Sequence, residues 1–442
     1  MRELRSIIKG RRNTHSVLYH YASGKQYDAT NAWNVNNNGN VNTNNKYNTN
    51  YAVPVSDYGY DKEEALASFF KAYFDCLKNK RTTDNAIRFQ ADAVRNVTRL
   101  AVEVLSGRYS IGRSICFIVE SPVEREVFAA CFRDRVIHHW IAARVEPLFE
   151  QYLYPCMKSN RKGKGSGDAI KEVYDNIFLE SEGYTQETWI YKFDLKGFFM
   201  SIDKRILAAK LDAFIGERYE GADKPLLRAL VRKVVMHCPQ KYCVRRCEKG
   251  RWDGLPADKS LFNRDDYHGI AIGNLTSQMF ANFMLRDAVS FIRSNGFEKV
   301  VEYVDDFVVV HKDKSKILAF IPKLRDYLMA NLGVKLHPRK FYLQHYTKGV
   351  AFVGGIIKPH RVYPSKRAVR KCIRKIVWLC RSGQPLEELR ATVNSYLGIL
   401  RQYRSYKLRR RIMEIAFSSP TKCYFTGDIY TMKFCKTNNY GN

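Results

Sequence analysis

The chain has 442 residues, of which 74 are Lys or Arg and 44 are Asp or Glu, so its formal net charge is +30. A hydrophobic content of 45% indicates a folded protein, and the length allows two or three domains. The charge exceeds what solubility requires and indicates a polyanionic partner. An anionic membrane is the competing interpretation, but no apolar run approaches the length of a transmembrane helix, so we expect no membrane partner.

The eleven cysteines are scattered along the chain, and their number is odd. The start of the sequence has no apolar core of the signal-peptide kind. Together these features predict a protein of the reducing cytoplasm.

The N-terminal region differs in composition from the rest. Residues 31–50 contain eleven Asn, which favours turns and left-handed backbone and disfavours a helix. We therefore expect residues 1–60 to form an Asn-rich, loop-rich arm.

The next part of the chain alternates between helical and extended patterns. Apolar residues at helical spacing predict helices over 62–108, a strand over 111–122 and a long amphipathic helix over 126–153. A basic, glycine-rich loop at 159–169 leads into another helix. Such a loop can present backbone N–H groups and cations to phosphates.

Two adjacent aspartates, Asp305 and Asp306, lie between two apolar runs in the string EYVDDFVVVH. The runs predict two short strands with the acidic pair at the turn. Neighbouring carboxylates repel each other, so partial burial requires a compensating cation, and Mg²⁺ prefers such oxygen ligands. Asp194 lies in a similar apolar run, YKFDLKGFF, which supports a two-metal site over a hairpin that merely contains two aspartates.

One cluster of His and Cys residues could bind a zinc ion. His237, Cys238, Cys243 and Cys247 lie within eleven residues and have the side chains that bind zinc. Their spacing is not a paired C-x₂-C, so free thiols are the favoured alternative.

After residue 363 the chain becomes basic and helical, with aromatic residues interleaved. This pattern is typical of a surface that binds a nucleic-acid backbone, although a solvated helix face is the alternative. The candidate nucleic-acid-binding residues are basic and lie on predicted helices: Lys366, Arg367, Arg370, Lys371, Arg404 and Lys407.

Taken in order, these segments resemble a reverse transcriptase over residues 62–412. The resembling segments are SPVEREVFAACFRDRVIHHW, YPCMKSNRKGKG, FDLKGFFMSID, GIAIGNLTSQMFANFML, YVDD, LGVKLHPRK, GVAFVGGII and SYLGILRQYRSYKLRR. The resemblance implies an α+β right-hand polymerase whose palm is an antiparallel sheet with helices. It places the fingers at 61–187, the palm at 188–362 with an insertion at 238–268, and a helical basic thumb with a tail at 363–442.

The resemblance also implies an RNA-directed DNA polymerase that uses dNTPs to copy a template RNA into cDNA. Two Mg²⁺ ions, for which Mn²⁺ can substitute, would be bound by Asp194, Asp305, Asp306 and the main-chain carbonyl of Leu195.

Nucleotide-binding roles follow from the same resemblance. Arg125, Arg161, Lys162 and Lys164 are candidates for holding the triphosphate, and Gly273 and Gln278 for packing against the new base pair. Phe199 matches the family's steric gate against ribose, with an ordinary core Phe as the alternative. Lys340 is a candidate for protonating pyrophosphate. Glu302 and Asp203 are expected to be solvated or structural.

The string IGNLTSQ, with Ser277 and Gln278, resembles bacterial reverse transcriptases of diversity-generating retroelements and of antiphage systems. The Asn-rich arm resembles the end of the diversified proteins of such retroelements; a polar tail is the alternative. The first setting implies a small basic accessory protein, and the second implies a second defence protein and a dedicated non-coding RNA. Both imply a bacterial or phage-encoded protein. A non-catalytic RNA-binding protein on the same scaffold is the remaining alternative.

Overall fold

The computed structural model describes residues 61–78, 81–120, 124–382, 384–418 and 424–435. The predicted Asn-rich arm lies outside these residues. The described chain divides into two compact units. The first contains the described residues up to Tyr152 together with Gly197–Met284, and the second contains Leu153–Lys196 and the described residues from Leu285 onward.

The first unit is mainly helical, with one small sheet. Its helices are α1 (Lys62–Leu77), α2 (Asp84–Ala91), α3 (Ala93–Leu105), α4 (Phe132–Tyr152), α6 (Phe198–Ser201), α7 (Lys204–Arg218) and α8 (Lys224–Met236), and α9 (Leu275–Ser294) begins in it. Its strands are β1 (Ser114–Val119), β2 (Arg125–Ala129) and β4 (Cys243–Arg245). Short 3₁₀ turns cover Pro239–Lys241, Lys249–Trp252, Ala257–Lys259 and Leu261–Asn263.

Local sequence explains where several of these helices begin. The Asp61 carboxylate accepts a hydrogen bond from the backbone N–H of Glu63 at 3.1 Å and caps α1. Asp203 caps α7 in the same way, through the N–H of Arg205 at 2.8 Å, so its expected structural role is confirmed. In α1 the apolar residues at helical spacing, among them Phe69 and Tyr73, are fully buried.

The predicted strand over 111–122 is confirmed as β1, but the predicted helix over 126–153 is wrong at its start. Residues Arg125–Ala129 form β2, which pairs antiparallel with β1, and α4 begins only at Phe132. In β2, burial alternates along the strand, with Glu126 and Phe128 inward. Strand β4 joins the other edge of β1 in parallel, giving the order β2-β1-β4.

The second unit is built on a four-stranded sheet and three C-terminal helices. Its strands are β3 (Trp189–Leu195), β5 (Val300–Tyr303), β6 (Asp306–His311), β7 (Leu336–His345), β8 (Val350–Phe352), β9 (Gly355–Lys358), β10 (Arg361–Pro364), β11 (Phe425–Gly427) and β12 (Met432–Phe434). Its helices are α5 (Ser166–Glu180), α10 (Lys314–Leu332), α11 (Lys366–Arg381), α12 (Leu386–Leu400) and α13 (Tyr406–Phe417), and a 3₁₀ turn covers Tyr346–Lys348.

The main sheet of this unit is antiparallel, with the order β5-β6-β3-β7. Three-residue β8 pairs with β9 and β9 with β10, and β11 pairs with β12. One apolar core joins Val308 of β6, Val350 of β8, Ile376 of α11 and Val393 of α12. This core fixes the sheet on one side of α11 and α12.

The predicted α+β class, with helices and antiparallel sheets, is confirmed. The predicted fingers, palm and thumb boundaries stay predictions. Among the described residues, no helix combines the length and apolar character needed to cross a membrane.

Candidate functional site

An acidic hairpin, formed by β5, β6 and the turn between them, lies at one end of the main sheet. Strands β5 and β6 meet at a turn that contains Val304 and Asp305, and Val304 has a positive φ of 61°. In the pairing of β3 with β6, Asp194 lies directly opposite Asp306. The carbonyl of Asp305 accepts a hydrogen bond from the N–H of Leu195 at 3.1 Å. The structure therefore brings together the four predicted metal-binding residues.

Burial and the neighbouring carboxylates raise the pKa of Asp305 and of Asp306. Burial, followed by the charges of Asp194 and Asp306, raises the pKa of Asp305 from 3.8 to about 6. Burial also raises the pKa of Asp306, and the ammonium group of Lys192 opposes that rise. The site thus concentrates more negative charge than its surroundings neutralise.

Two lysines form ion pairs with these aspartates. Lys192 Nζ lies 3.2 Å from Asp306 Oδ1 and donates a hydrogen bond to the carbonyl of Ala351 at 3.1 Å. Lys340 Nζ lies 2.6 Å from Asp194 Oδ2. Lys340 was predicted from the sequence as a proton donor to pyrophosphate, whereas Lys192 was not predicted. The sequence does indicate Lys192, since it precedes Asp194 by two residues and so lies on the same face of the strand.

Lys340 reaches the site because β7 departs from regular pairing. Phe193 pairs with Phe341 and Leu195 pairs with Leu336, so four residues, 337–340, face a single residue of β3. Partial burial lowers the pKa of Lys340, but the hydrogen bond to Asp194 and the nearby carboxylate charges raise it more, so the net shift is upward. The side chain is charged at neutral pH.

The donor set fits divalent metal ions, although the described residues contain no group of three or more His, Cys, Asp and Glu side chains arranged to hold one. The fit rests on charge and ligand type: three hard oxygen ligands lie together, and the carboxylate of Asp305 is disfavoured without a further cation. The cluster of His237, Cys238, Cys243 and Cys247 likewise contains, within the described part of the chain, no such group for zinc.

The basic loop at 159–169 divides into buried and surface cations. Arg161 is buried, and its Nη1 donates to the carbonyls of Tyr154 at 2.7 Å and Met157 at 3.1 Å. Lys162 is exposed and Lys164 is partly exposed. Arg161 therefore shapes the loop, and Lys162 and Lys164 carry its accessible charge.

Lys158, which was not predicted from the sequence, directly precedes this loop. It is buried and forms ion pairs with Asp168, at 2.8 Å, and with Glu172, both near the start of α5. These pairs hold the two ends of the loop together.

Glu302 connects the loop to the acidic hairpin. Its main chain pairs with the segment before the loop: its N–H donates to Cys156 and its carbonyl accepts from Lys158, both at 3.0 Å. Its side chain is fully buried and accepts a hydrogen bond from Ser159 at 3.3 Å. Burial raises its pKa to about 8, so the group is mainly protonated at pH 7. Glu302 is therefore structural and not solvated.

Three of the predicted nucleotide-binding residues lie in the first unit on or near the small sheet. Arg125 is exposed at the start of β2, and Gln278 is partly buried in α9. Gly273 has φ 118°, and a Cβ there would lie 2.7 Å from Val127 Cγ1 and 3.0 Å from the carbonyl oxygen of Phe128. Only glycine allows this close approach of the loop to β2.

Phe199, in the same unit, is partly buried. Its ring packs against an apolar cluster and meets the ring of Phe198 edge to face, with 5.6 Å between centroids. Its carbonyl accepts a hydrogen bond from the N–H of Ile270 at 2.9 Å. The ring is thus supported on one side and retains an accessible part.

The predicted nucleic-acid-binding residues lie on α11, on α13 and in the turn before α13. Helix α11 buries Cys372, Ile376 and Leu379, and its basic residues face outward. Trp378 is 49% exposed and has Lys375 Nζ 4.4 Å from its ring centroid. The exposed basic residues include all six that were predicted: Lys366, Arg367, Arg370, Lys371, Arg404 and Lys407.

Comparison with known proteins gives one family and several distant structures. Residues 125–357, more than half of the chain, match the family described as "Reverse transcriptase (RNA-dependent DNA polymerase)". No curated protein matches the chain.

The similar solved structures include two yeast telomerases. Telomerase from Candida albicans, in complex with a TWJ fragment of telomeric RNA, has a TM-score of 0.42 and 12% identity, covering 71% of this chain and 61% of that one. Apo telomerase from Candida tropicalis has a TM-score of 0.43 and 10% identity, covering 82% and 74%. The chain spans about three fifths of the Candida albicans protein.

Proposed function

The chain belongs to the reverse transcriptase (RNA-dependent DNA polymerase) family, as its motifs predicted, and from this premise we propose that it copies a bound template RNA into cDNA. The observation that carries the proposal is the acidic hairpin with Asp194 opposite Asp306 and Asp305 at the turn. A protein that only binds RNA gains nothing from three carboxylates gathered at one end of a sheet.

Asp194, Asp305 and the main-chain carbonyl of Leu195 would hold divalent metal ions, with Asp306 beside them. When bound, Mg²⁺, or Mn²⁺ in its place, lowers the pKa of the primer 3′-hydroxyl and neutralises charge on the triphosphate and pyrophosphate. The ion pair with Lys192 holds Asp306 in place. Asp305 forms no ion pair with any residue that the structure describes, and it is then the principal ligand on the hairpin.

Lys340 is placed to supply a proton. Its net pKa shift is upward, so it is charged at neutral pH, and its exposed ammonium group donates a hydrogen bond to Asp194. Release of that bond would allow the ammonium group to protonate the departing pyrophosphate.

The remaining cations and the ring would select and hold the nucleotide. Lys162, Lys164 and Arg125 would bind the triphosphate, since two or more cations suit so large a negative charge. Arg161 would act by fixing the loop and not by binding phosphate directly. Phe199 would exclude the ribose 2′-hydroxyl.

Gly273 and Gln278 would pack against the new base pair, and the basic side of the C-terminal helices would bind the backbone of template and product. We place the protein in a bacterial or phage cytoplasm, within a diversity-generating retroelement. An antiphage system with its own non-coding RNA is the second candidate, because the string around Ser277 and Gln278 resembles both groups.

The test is to purify the protein with its co-expressed RNA, add Mg²⁺ and labelled dNTPs, and sequence the DNA. The control is the double variant Asp194→Asn, Asp305→Asn, which should bind the same RNA and make no DNA. DNA complementary to the bound RNA, with errors at template adenines, supports the retroelement. Accurate or repetitive copies of a short RNA segment support antiphage defence. RNA binding without DNA synthesis by the unaltered protein rejects the polymerase proposal.

A further inference from the structure

The segment 238–268 has no role in the function proposed above, yet it is firmly packed in the first unit. Its chain runs through short 3₁₀ turns that contain Trp252 and Leu261. Leu261 is fully buried, and Trp252 and Phe262 are partly buried against the same apolar cluster. A loose surface loop would not bury these side chains.

A buried carboxylate on β2 holds this segment. Glu126 is fully buried, and its Oε2 accepts hydrogen bonds from Trp252 Nε1 at 2.7 Å and Ser260 Oγ at 2.8 Å. Its Oε1 accepts the N–H of Leu261 at 2.8 Å. A buried carboxylate is costly unless hydrogen bonded, so these three donors and Glu126 depend on one another.

The held segment lies directly against the chain around Phe199. A Cβ on Gly197, which has φ 56°, would lie 2.8 Å from the carbonyl oxygen of Asp258. A Cβ on Gly269 would lie 2.5 Å from Leu261 Cδ2 and 3.4 Å from Met200 Cα. The segment therefore contacts the backbone just before Phe199, and Gly269, the residue that follows the segment, lies between Leu261 and the backbone of Met200 just after Phe199.

The side chains make the same connection. The buried cluster contains Leu261 from the segment, Phe128 from β2 and Met200, the residue that follows Phe199. The ring of Phe199 packs against this cluster. The position of the ring thus depends on a core that the segment completes.

We propose that Glu126, by fixing segment 238–268, sets the position of the Phe199 ring and so determines how strongly ribonucleotides are excluded. Glu126 is a positioning residue, because it acts through Leu261 and Trp252 and not on the nucleotide. The inference rests on the proposed function of Phe199 as the gate.

The substitution Glu126→Gln isolates this role. The amide nitrogen of Gln cannot accept a hydrogen bond, so either Trp252 Nε1 or the N–H of Leu261 loses its acceptor whichever way the amide points. Size and shape remain nearly the same. Trp252→Phe is a milder second variant, because it removes only the Nε1 donor and keeps an aromatic ring in the cluster.

The experiment measures incorporation of a single nucleotide and compares kcat/KM for a dNTP with that for the matching ribonucleotide. Phe199→Ala provides the benchmark, and Glu217→Gln, an exposed acid on α7, is the matched control. One lost buried hydrogen bond corresponds to about 1.4 kcal/mol, or roughly a tenfold effect. We expect Glu126→Gln to lower sugar selectivity by about tenfold and Trp252→Phe by about threefold, chiefly through a lower KM for the ribonucleotide.

Three outcomes overturn the inference in distinguishable ways. If Phe199→Ala lowers selectivity and both Glu126→Gln and Trp252→Phe leave it unchanged, the gate stands and the support role fails. If the two variants lower kcat for both sugars equally, Glu126 is only structural. If Phe199→Ala itself leaves selectivity unchanged, the gate and this inference fail together. Should Glu126→Gln not fold, as judged by its Tm, Trp252→Phe decides the question alone.

Discussion

Replacing Asp305 with Asn should make the metal-free protein more stable and abolish DNA synthesis. The pKa of Asp305 rises from 3.8 to about 6, so the folded state disfavours its ionised form. Above pH 6 the folded protein bears this cost; the cost falls as the pH falls through 6, and it disappears only below the ordinary pKa of 3.8, where the carboxyl is protonated in both states. Asn bears no charge at any of these pH values.

The magnitude follows from the size of the shift. Two pKa units correspond to at most about 3 kcal/mol, and solvent screening at a partly exposed turn reduces this to about 1–2 kcal/mol. We therefore expect Asp305→Asn to raise the free energy of unfolding by about 1–2 kcal/mol at pH 8, and by only about 0.3 kcal/mol near pH 4.

The assay is urea unfolding in the presence of a chelator at pH 8, 6 and 4.5, with DNA synthesis measured in parallel. Asp326→Asn, at an exposed position of α10, is the control and should change stability little at any pH. Equal stability of Asp305→Asn and the unaltered protein at pH 8, or a gain that does not depend on pH, would refute the electrostatic reasoning.

Three other substitutions test separate parts of the structure. Lys192→Met removes the ion pair of Asp306 and should cost about 1–2 kcal/mol of unfolding free energy at pH 8; no loss would mean that the pair is not stabilising. Gly273→Ala forces a Cβ against β2 at a positive φ and should lower the free energy of unfolding by about 2–3 kcal/mol. Gly398→Ala, in open space within α12, should raise it by up to about 1 kcal/mol, and thermal unfolding measures both changes. Arg370→Ala should reduce the salt dependence of RNA binding, measured by fluorescence anisotropy, by a slope of about 1; an unchanged slope would remove this residue from the interface.

The acidic hairpin could be predicted from the sequence because its signal is local. Apolar runs on both sides of the acidic pair define two strands, so a turn is expected at the pair; the structure has Asp305 in the turn and Asp306 as the first residue of β6. The proximity of Asp194 to the acidic pair was also predicted, since charged residues inside two apolar strands must share a neutralising environment, but the register that sets Asp194 opposite Asp306 was not.

Long-range partners could not be predicted in this way. The run containing Glu126 satisfies helical and strand periodicity equally over so few residues, so β2 was assigned to a helix and the inward carboxylate was missed. Arg161 was selected for its charge, but its guanidinium binds the carbonyls of Tyr154 and Met157, a contact decided by how the loop closes. The placement of Lys340 depends on the irregular pairing of β7, which has no marker in the sequence.

The left-handed backbone at Val304 has a consequence for engineering this protein. A β-branched residue at φ 61° costs about 1–3 kcal/mol relative to a residue that tolerates this conformation. A library randomised at this position and screened only for heat tolerance will accumulate glycine and asparagine, because they relieve the strain. Yet the same turn orients the carbonyl that Asp305 offers to Leu195. Heat tolerance and copying therefore impose different selection pressures on a single codon.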